Sequence, residues 1–290
     1  MSTVSALWSA LRPRQWAKNV LVLAVPLAAG RLLEPDVLRP SLVAVVAFCL
    51  VSSATYLVND VLDAESDRAH PVKRDRAVAR GALAPATALA ASVVLVVVAL
   101  GLAWWLTRPQ LVWVLLGYLG ATVAYSTRLK HEPVLELALL SAGFLLRAVA
   151  GGAATGIPVS EWFLIVAAFG SLFMAAGKRF SELVSLPEGT ESRRRSLVGY
   201  TPTYLRFVWG LAAAVTITAY CLWAFEVGSR ATGSWAAWSV APFVLAVLRY
   251  AVRIDAGEAE APEDVALRDR PLQLLALLWV ATFALAASGA

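Results

Sequence analysis

The stretch Asn59-Asp60-Val61-Leu62-Asp63-Ala64-Glu65-Ser66-Asp67 carries carboxylates at spacings that can converge on a metal ion. On an α-helix, with Asn59 as the origin, Asp63 falls at about 40°, Asp67 at about 80° and Asp60 at about 100°, while Glu65 points away at about 240°. Three carboxylates and an amide oxygen in one sector suit Mg2+, which is usually held by one or two carboxylates together with substrate phosphates. Asp60, Asp63 and Asp67 are therefore the candidate metal ligands and catalytic residues, with Asn59 beside them. A basic run, Lys73, Arg74, Arg76 and Arg80, follows at once. Carboxylates for a metal and then cations for phosphate oxygens are what a metal–diphosphate complex requires. The plainer reading is a solvated acidic helix end with a cationic tail.

Three further segments carry polar side chains of the same kind. The first holds Tyr125, Arg128, Lys130, His131 and Glu132, with Glu136 one turn later; the second reads GKRFSEL and places Lys178, Arg179 and Glu182 in one helical sector. Lys130, Lys178 and Arg179 are candidate phosphate ligands, although Lys178 and Glu182 also fit an ordinary i,i+4 ion pair worth about 0.2–0.5 kcal/mol. In the third, RPRQWAKN, an α-helix would line up Arg12, Gln15 and Asn19 with Lys18 beside them. That row suits either substrate binding or a snorkelling membrane anchor. His70 and His131 read as surface histidines. Arg147 stands alone in an apolar stretch and must face a polar cavity or a partner rather than lipid.

The elements that position these residues are membrane spans. The chain has 290 residues, of which 59% are hydrophobic and only 16% charged; soluble domains carry about 25% charged residues. Stretches long enough to cross a bilayer, about 20 apolar residues each, recur at 15–33, 39–58, 86–106, 110–126, 133–155, 160–177, 204–227, 235–252 and 271–289. No gap between them has room for a soluble domain, so residues 1–290 read as one membrane domain of nine helices. Of the 25 Lys and Arg, 20 fall on the side of the N-terminus and 4 on the other. That bias puts the N-terminus and the polar loops in the cytoplasm and the C-terminus outside. Trp104, Trp105, Trp113, Trp162, Trp235 and Trp238 lie near the outer ends, as an interfacial aromatic belt should.

The net charge of +5 follows from this topology and gives no reason to invoke nucleic acid. The first residues lack a small-residue cleavage site and suit an amphipathic surface helix. Cys49 and Cys221 fall within spans and imply neither a disulfide nor a metal site. There is no G-x-x-x-x-G-K-[ST], G-x-S-x-G or H-E-x-x-H, which excludes a P-loop ATPase and leaves no signature of two common hydrolase classes.

N-D-x-x-D-x-x-x-D at the cytoplasmic end of the second of nine helices resembles the UbiA superfamily of intramembrane prenyltransferases. The resemblance covers nearly the whole chain. It implies an all-α fold around a central cavity open to the cytoplasmic side, with Mg2+ and a diphosphate held by the acidic motif. Ordinary members carry a second motif, D-x-x-x-D, where this chain reads Gly177-Lys178-Arg179-Phe180-Ser181-Glu182-Leu183. With RPRQWAKN, YLVNDVLDAESDRAHPVKR, YSTRLKHEPVLE and GFLLRAVAGG, that segment is similar to the decaprenyl-phosphate phosphoribosyltransferase branch.

The branch implies transfer of 5-phosphoribose from 5-phosphoribosyl 1-diphosphate (PRPP) to a polyprenyl phosphate in a cell (plasma) membrane, for arabinan synthesis in cell walls. Catalysis would fall to Asp60, Asp63, Asp67 and Lys130, and substrate binding to Lys18, Asn19, Asn59, Lys73, Arg74, Tyr125, Glu136, Lys178, Arg179 and Glu182. Two alternatives remain: a prenyltransferase using a prenyl diphosphate and an aromatic acceptor, and a lipid-phosphate transporter. The sequence leaves prenyl chain length and oligomeric state open, a homo-oligomer included.

Overall fold

The computed structural model describes residues 3–69, 73–127, 129–185, 197, 199–230 and 235–287. A short helix, α1 (Thr3–Ala10), leads through a 3-10 helix (Pro13–Leu23) into α2 (Ala24–Ala28). Then come α3 (Pro35–Leu62), α4 (Ala64–Arg68), α5 (Pro85–Leu106), α6 (Gln110–Thr127) and α7 (Leu135–Thr155). The chain continues with α8 (Glu161–Val184), α9 (Pro202–Arg230), α10 (Trp235–Asp255), α11 (Pro262–Arg268) and α12 (Arg270–Ala287). No strand occurs among the described residues. Seven helices, α3, α5, α7, α8, α9, α10 and α12, are long and apolar enough to cross a membrane.

Eight of the expected spans coincide with single helices, and the first does not. Residues 15–33 form no continuous α-helix: the 3-10 segment covers Pro13–Leu23 and α2 only Ala24–Ala28. Pro26 has no N–H to offer the Val22 carbonyl four residues back, and that carbonyl instead lies against Gly151 of α7. With a rise of about 2.0 Å per residue in 3-10 geometry against 1.5 Å in an α-helix, the rod from Pro13 to Ala28 still spans about 30 Å.

The change of helix type also corrects the expected faces. In a 3-10 helix, side chains three apart eclipse. Gln15 and Lys18 thus form one row, in which Lys18 Nζ donates to Gln15 Oε1 at 2.6 Å, while Arg12 lies before the helix in a left-handed turn at φ 53°. Trp16, Asn19 and Val22 form the next row, and this one is packed inward: Trp16 donates to Ser53 Oγ at 3.0 Å, while Asn19 and Val22 are fully buried. Asn19 thus leaves the row that an α-helix would have given it.

Two apolar cores share α7. One joins α3, α5, α6 and α7 through Phe48, Val51, Ala99, Leu111, Leu115 and Ala150; the other joins α7, α8, α9 and α10 through Leu137, Phe173, Phe180, Leu205 and Ile254. A third, smaller cluster sits at the end of α3. There Leu57 and Ala64 pack with Ala6 and Ala10 of α1, and with Ala77, Val78 and Leu83 of the loop after α4. Outside, Trp104, Trp105, Trp113 and Trp238 are exposed, as membrane-interface residues would be.

The contact of α7 with the N-terminal rod is tight enough to test. A methyl group added at Gly151 would overlap the Val22 carbonyl oxygen and the ring of Pro26, whereas one at Gly101 would meet nothing within 4 Å. Gly151→Ala should therefore cost roughly 1–3 kcal/mol. Thermal melting in detergent should show a clear fall for that variant and none for Gly101→Ala.

Candidate active site

The helical path assumed for the acidic stretch is largely kept. Asp63 ends α3 with φ −94° and ψ 4°, and α4 starts at once. Asp63 N–H donates to the Asn59 carbonyl at 2.9 Å and Asp67 N–H to the Asp63 carbonyl at 2.8 Å, so the i,i+4 ladder runs through the junction. Two of the carboxylates turn inward and are almost closed off from solvent, Asp60 and Asp67 each 2% exposed. One guanidinium nitrogen, Nη1 of Arg76, lies between them, 2.6 Å from Asp67 Oδ2 and 3.3 Å from Asp60 Oδ1. Arg12 Nη2 reaches the same Asp60 oxygen at 2.5 Å.

The small apolar cluster explains this placement. Arg76 directly precedes Ala77, Val78 and Ala79, all buried, and Arg12 follows the buried Ala10. The clustering of these residues around Leu57 and Ala64 folds both arginines over the end of α3. From the sequence Arg12 and Arg76 stand only as members of a polar row and a basic run, with no role of their own in the site. The usable signal was the apolar Ala-Val-Ala next to Arg76, which fixes one cation of an otherwise solvated run. Lys73 and Arg74 open that loop in a single 3-10 turn, with Arg74 exposed.

Asp63 is more open, with Lys130 Nζ 3.3 Å from its Oδ1. Asn59 accepts a hydrogen bond from Ser126 Oγ at 2.7 Å. The loop between α6 and α7 is thus fixed against the acidic stretch. It carries Val134 at φ 69°, a conformation costly for a β-branched residue. The N–H of Val134 donates to the Tyr200 hydroxyl at 2.9 Å, and burial pushes the Tyr200 phenol up to about 12.

A second polar cluster adjoins the first. Arg179, 2% exposed, donates through Nε to Glu136 Oε1 at 2.7 Å and through Nη2 to the Tyr125 hydroxyl at 3.0 Å. Its Nη1 is paired with Glu182. Lys178 is the accessible cation of this cluster, its side chain 31% exposed and Nζ 3.9 Å from Glu182 Oε1. Tyr125 and Ser126 are consecutive, so the two clusters form one polar wall at one end of the bundle. Arg179, sealed between two carboxylates, orders the wall, and Lys178 is the more exposed of the two cations.

Asn19 and Arg147 lie elsewhere. Arg147 donates to Asn19 Oδ1 at 2.8 Å, to the Gly143 carbonyl at 2.7 Å and to the Tyr118 hydroxyl at 2.8 Å. Its guanidinium stands 4.7 Å from the Tyr118 ring centre. The partner required for a charge inside a span is therefore a set of neutral acceptors and a π face. Asn19 also donates to Cys49 Sγ at 3.2 Å, and both cysteines are free. His70 and Arg128 lie outside the described residues, as does the side chain of His131.

Among the described residues no three His, Cys, Asp or Glu side chains already form a metal-binding group. The fit to Mg2+ rests on Arg76: a single cationic nitrogen is held between carboxylate oxygens of Asp60 and Asp67, the two-carboxylate environment that Mg2+ uses when phosphates supply its other ligands.

The model of the UbiA prenyltransferase family matches residues 20–277. The chain belongs to that family. With its seven long apolar helices it is a multi-pass membrane protein. It is 52% identical to a decaprenyl-phosphate phosphoribosyltransferase of Mycobacterium tuberculosis, over 96% of this chain and 93% of that one. Proteins of the same name from Mycolicibacterium smegmatis and Corynebacterium glutamicum are 50% and 48% identical, over 96% and 93% of this chain and 91% and 83% of theirs. Among solved structures, a UbiA homolog from Archaeoglobus fulgidus bound to DMAPP and Mg2+ superposes with a TM-score of 0.70 at 17% identity, covering 97% of this chain and 99% of that one. The same homolog bound to GPP and Mg2+ gives 0.71 at 17% identity, with 98% and 99% covered. This UbiA fold is the all-helical architecture expected from the sequence.

Asp269, unassigned from the sequence, ties α10 to α12. It accepts from Arg253 Nε at 2.6 Å and Arg249 Nε at 3.1 Å, and caps α12 by accepting the Leu272 N–H at 3.0 Å. Burial works against its charged form, but the Leu272 N–H and the two guanidinium groups outweigh it and hold the carboxyl at about 2. A depressed folded value means the stabilisation is complete above about pH 4, the unfolded range, and is lost as pH falls through about 2. Melting temperature should therefore fall less steeply between pH 5 and pH 2 in Asp269→Asn than in wild type.

Proposed function

We propose that this chain transfers 5-phosphoribose from PRPP to decaprenyl phosphate or a similar polyprenyl phosphate, releasing diphosphate. The product, polyprenylphosphoryl-5-phosphoribose, would feed synthesis of cell-wall arabinan. The observation that carries the reading is the second pole of the polar wall. Where the resemblance leads one to expect a second aspartate pair, the chain has Lys178 accessible above an Arg179 held by Glu136 and Glu182. A phosphoribosyl donor bears a 5-phosphate besides its diphosphate and needs cations at two places; a prenyl diphosphate needs them at one. The names of relatives about half identical along nearly the whole chain support the same activity.

Asp60, Asp63 and Asp67 would hold Mg2+, which supplies a Lewis acid on the departing diphosphate. Arg12, Arg76, Lys73, Arg74 and Lys130 would meet the diphosphate oxygens, and Lys178 with Lys18 the remaining phosphates. These cations stabilise the negative charge that grows as the C1–O bond breaks. The attacking oxygen belongs to a lipid phosphate already ionised at neutral pH, so no side chain has to remove a proton. Asn59 and Tyr125 join the two poles and fix their separation. Asn19 acts at a distance, through the Arg147 bracket that seats the N-terminal rod.

We further propose one domain with nine membrane crossings: the seven long helices, α6, and the rod from Pro13 to Ala28. The Lys and Arg distribution supports a cytoplasmic N-terminus and active site in a plasma membrane. The decisive assay uses purified protein in detergent with Mg2+, labelled PRPP and polyprenyl phosphate. Label should enter the organic phase only when lipid and metal are both present, and Asp63→Ala should lower turnover at least about 100-fold. Consumption of a prenyl diphosphate with PRPP left intact would overturn the proposal.

A further inference from the structure

Glu136 presents an acceptor that the protein itself does not use. The residue is fully buried, and its Oε1 takes both Nε and Nη2 of Arg179. Its Oε2 is also buried, yet among the described residues no group donates to it. A carboxylate oxygen withdrawn from water without a donor is costly, and native proteins rarely leave one so.

The position of this oxygen narrows what it can receive. Glu136 opens α7 directly after the loop whose Lys130 ammonium lies 3.3 Å from Asp63 Oδ1. Through Arg179 it is linked to Tyr125, next in sequence to the Ser126 that binds Asn59. It therefore sits at the seam between the carboxylate pole and the Lys178 pole. An ionised carboxylate repels phosphate oxygens and accepts only from groups that carry hydrogen. A donor stretched across the seam with a phosphate at each end offers such groups on its ring alone.

We propose that Oε2 of Glu136 accepts a hydrogen bond from the 2-hydroxyl of the donor's ribose, an assignment that rests on the phosphoribosyl reading above and adds the group that selects the pentose. The 2-hydroxyl is chosen because it neighbours the reacting carbon, where hydrogen bonds to it strengthen as oxocarbenium character develops. A prenyl diphosphate has no hydroxyl to give, so the same contact distinguishes the two donor classes.

The test measures displacement of labelled PRPP from the Mg2+-loaded protein in detergent by ribose 5-phosphate and by 2-deoxyribose 5-phosphate. Wild type should favour the ribose compound by about 10- to 100-fold, the range expected when a buried charged acceptor loses its donor. Glu136→Gln turns an amide nitrogen toward the hydroxyl and should bring the ratio to about threefold or less. Should that variant misfold, Glu136→Asp keeps the charge for Arg179, draws the second oxygen back and should narrow the ratio in the same way. A wild-type ratio near one, or a full ratio retained in a folded variant, overturns the assignment while leaving the function intact. Failure of folded wild type to bind PRPP at all overturns both.

Discussion

Asp60 sets the terms for the rest of the molecule. A carboxylate only 2% exposed at the end of a membrane helix is tolerable only with counter-charge close by. Arg12 and Arg76 provide it from two segments far apart in sequence, one just before the 3-10 segment and one after α4. Neither arginine could be held there by electrostatics alone, because long side chains lose rotamer freedom on being fixed. Ala6, Ala10, Ala77, Val78 and Leu83 pin their backbones against Leu57 and Ala64. Removing one partner of such a buried pair typically costs about 3–5 kcal/mol. Packing of the N-terminal helix and charge balance at the site are thus one problem with one solution.

The same balance describes what the site can receive. Asp60 and Asp67 against Arg12 and Arg76 leave the inner carboxylate pole near neutral. A bare divalent cation entering there has to compete with guanidinium groups. A cation arriving with a diphosphate brings the anion that those groups can turn to. At the second pole Arg179 is saturated by Glu136, Glu182 and Tyr125, while Lys178 keeps a partly exposed side chain. A fold shared at 17% identity with a protein bound to prenyl diphosphates can in this way serve a different donor, since function resides in the residues grafted on it.

Much of this was legible in the residues. Hydropathy located eight helices, because lipid demands long apolar runs and leaves little freedom. The i,i+4 spacing of Asn59, Asp63 and Asp67 survives in the backbone ladder across the α3–α4 junction. The 3-10 segment was not legible, because Trp16, Asn19 and Val22 satisfy an α-helical pattern nearly as well as a three-residue one. What separates the two is the close approach to Gly151, a contact distant in sequence. Arg76 was hidden for a related reason. Within Lys73, Arg74, Arg76 and Arg80 every cation looks equivalent until the apolar residues that follow one of them find a core.

The central claim is that Asp60 and Asp67 form a metal site completed by a diphosphate. Mn2+ binding followed by electron paramagnetic resonance, in purified protein with and without PRPP, addresses it most directly. The account predicts weak binding of Mn2+ alone, at least tenfold tighter binding with PRPP, and loss of that gain in Asp60→Asn and Asp67→Asn. Mn2+ binding that is equally strong without PRPP, or that survives both substitutions in folded protein, would contradict it.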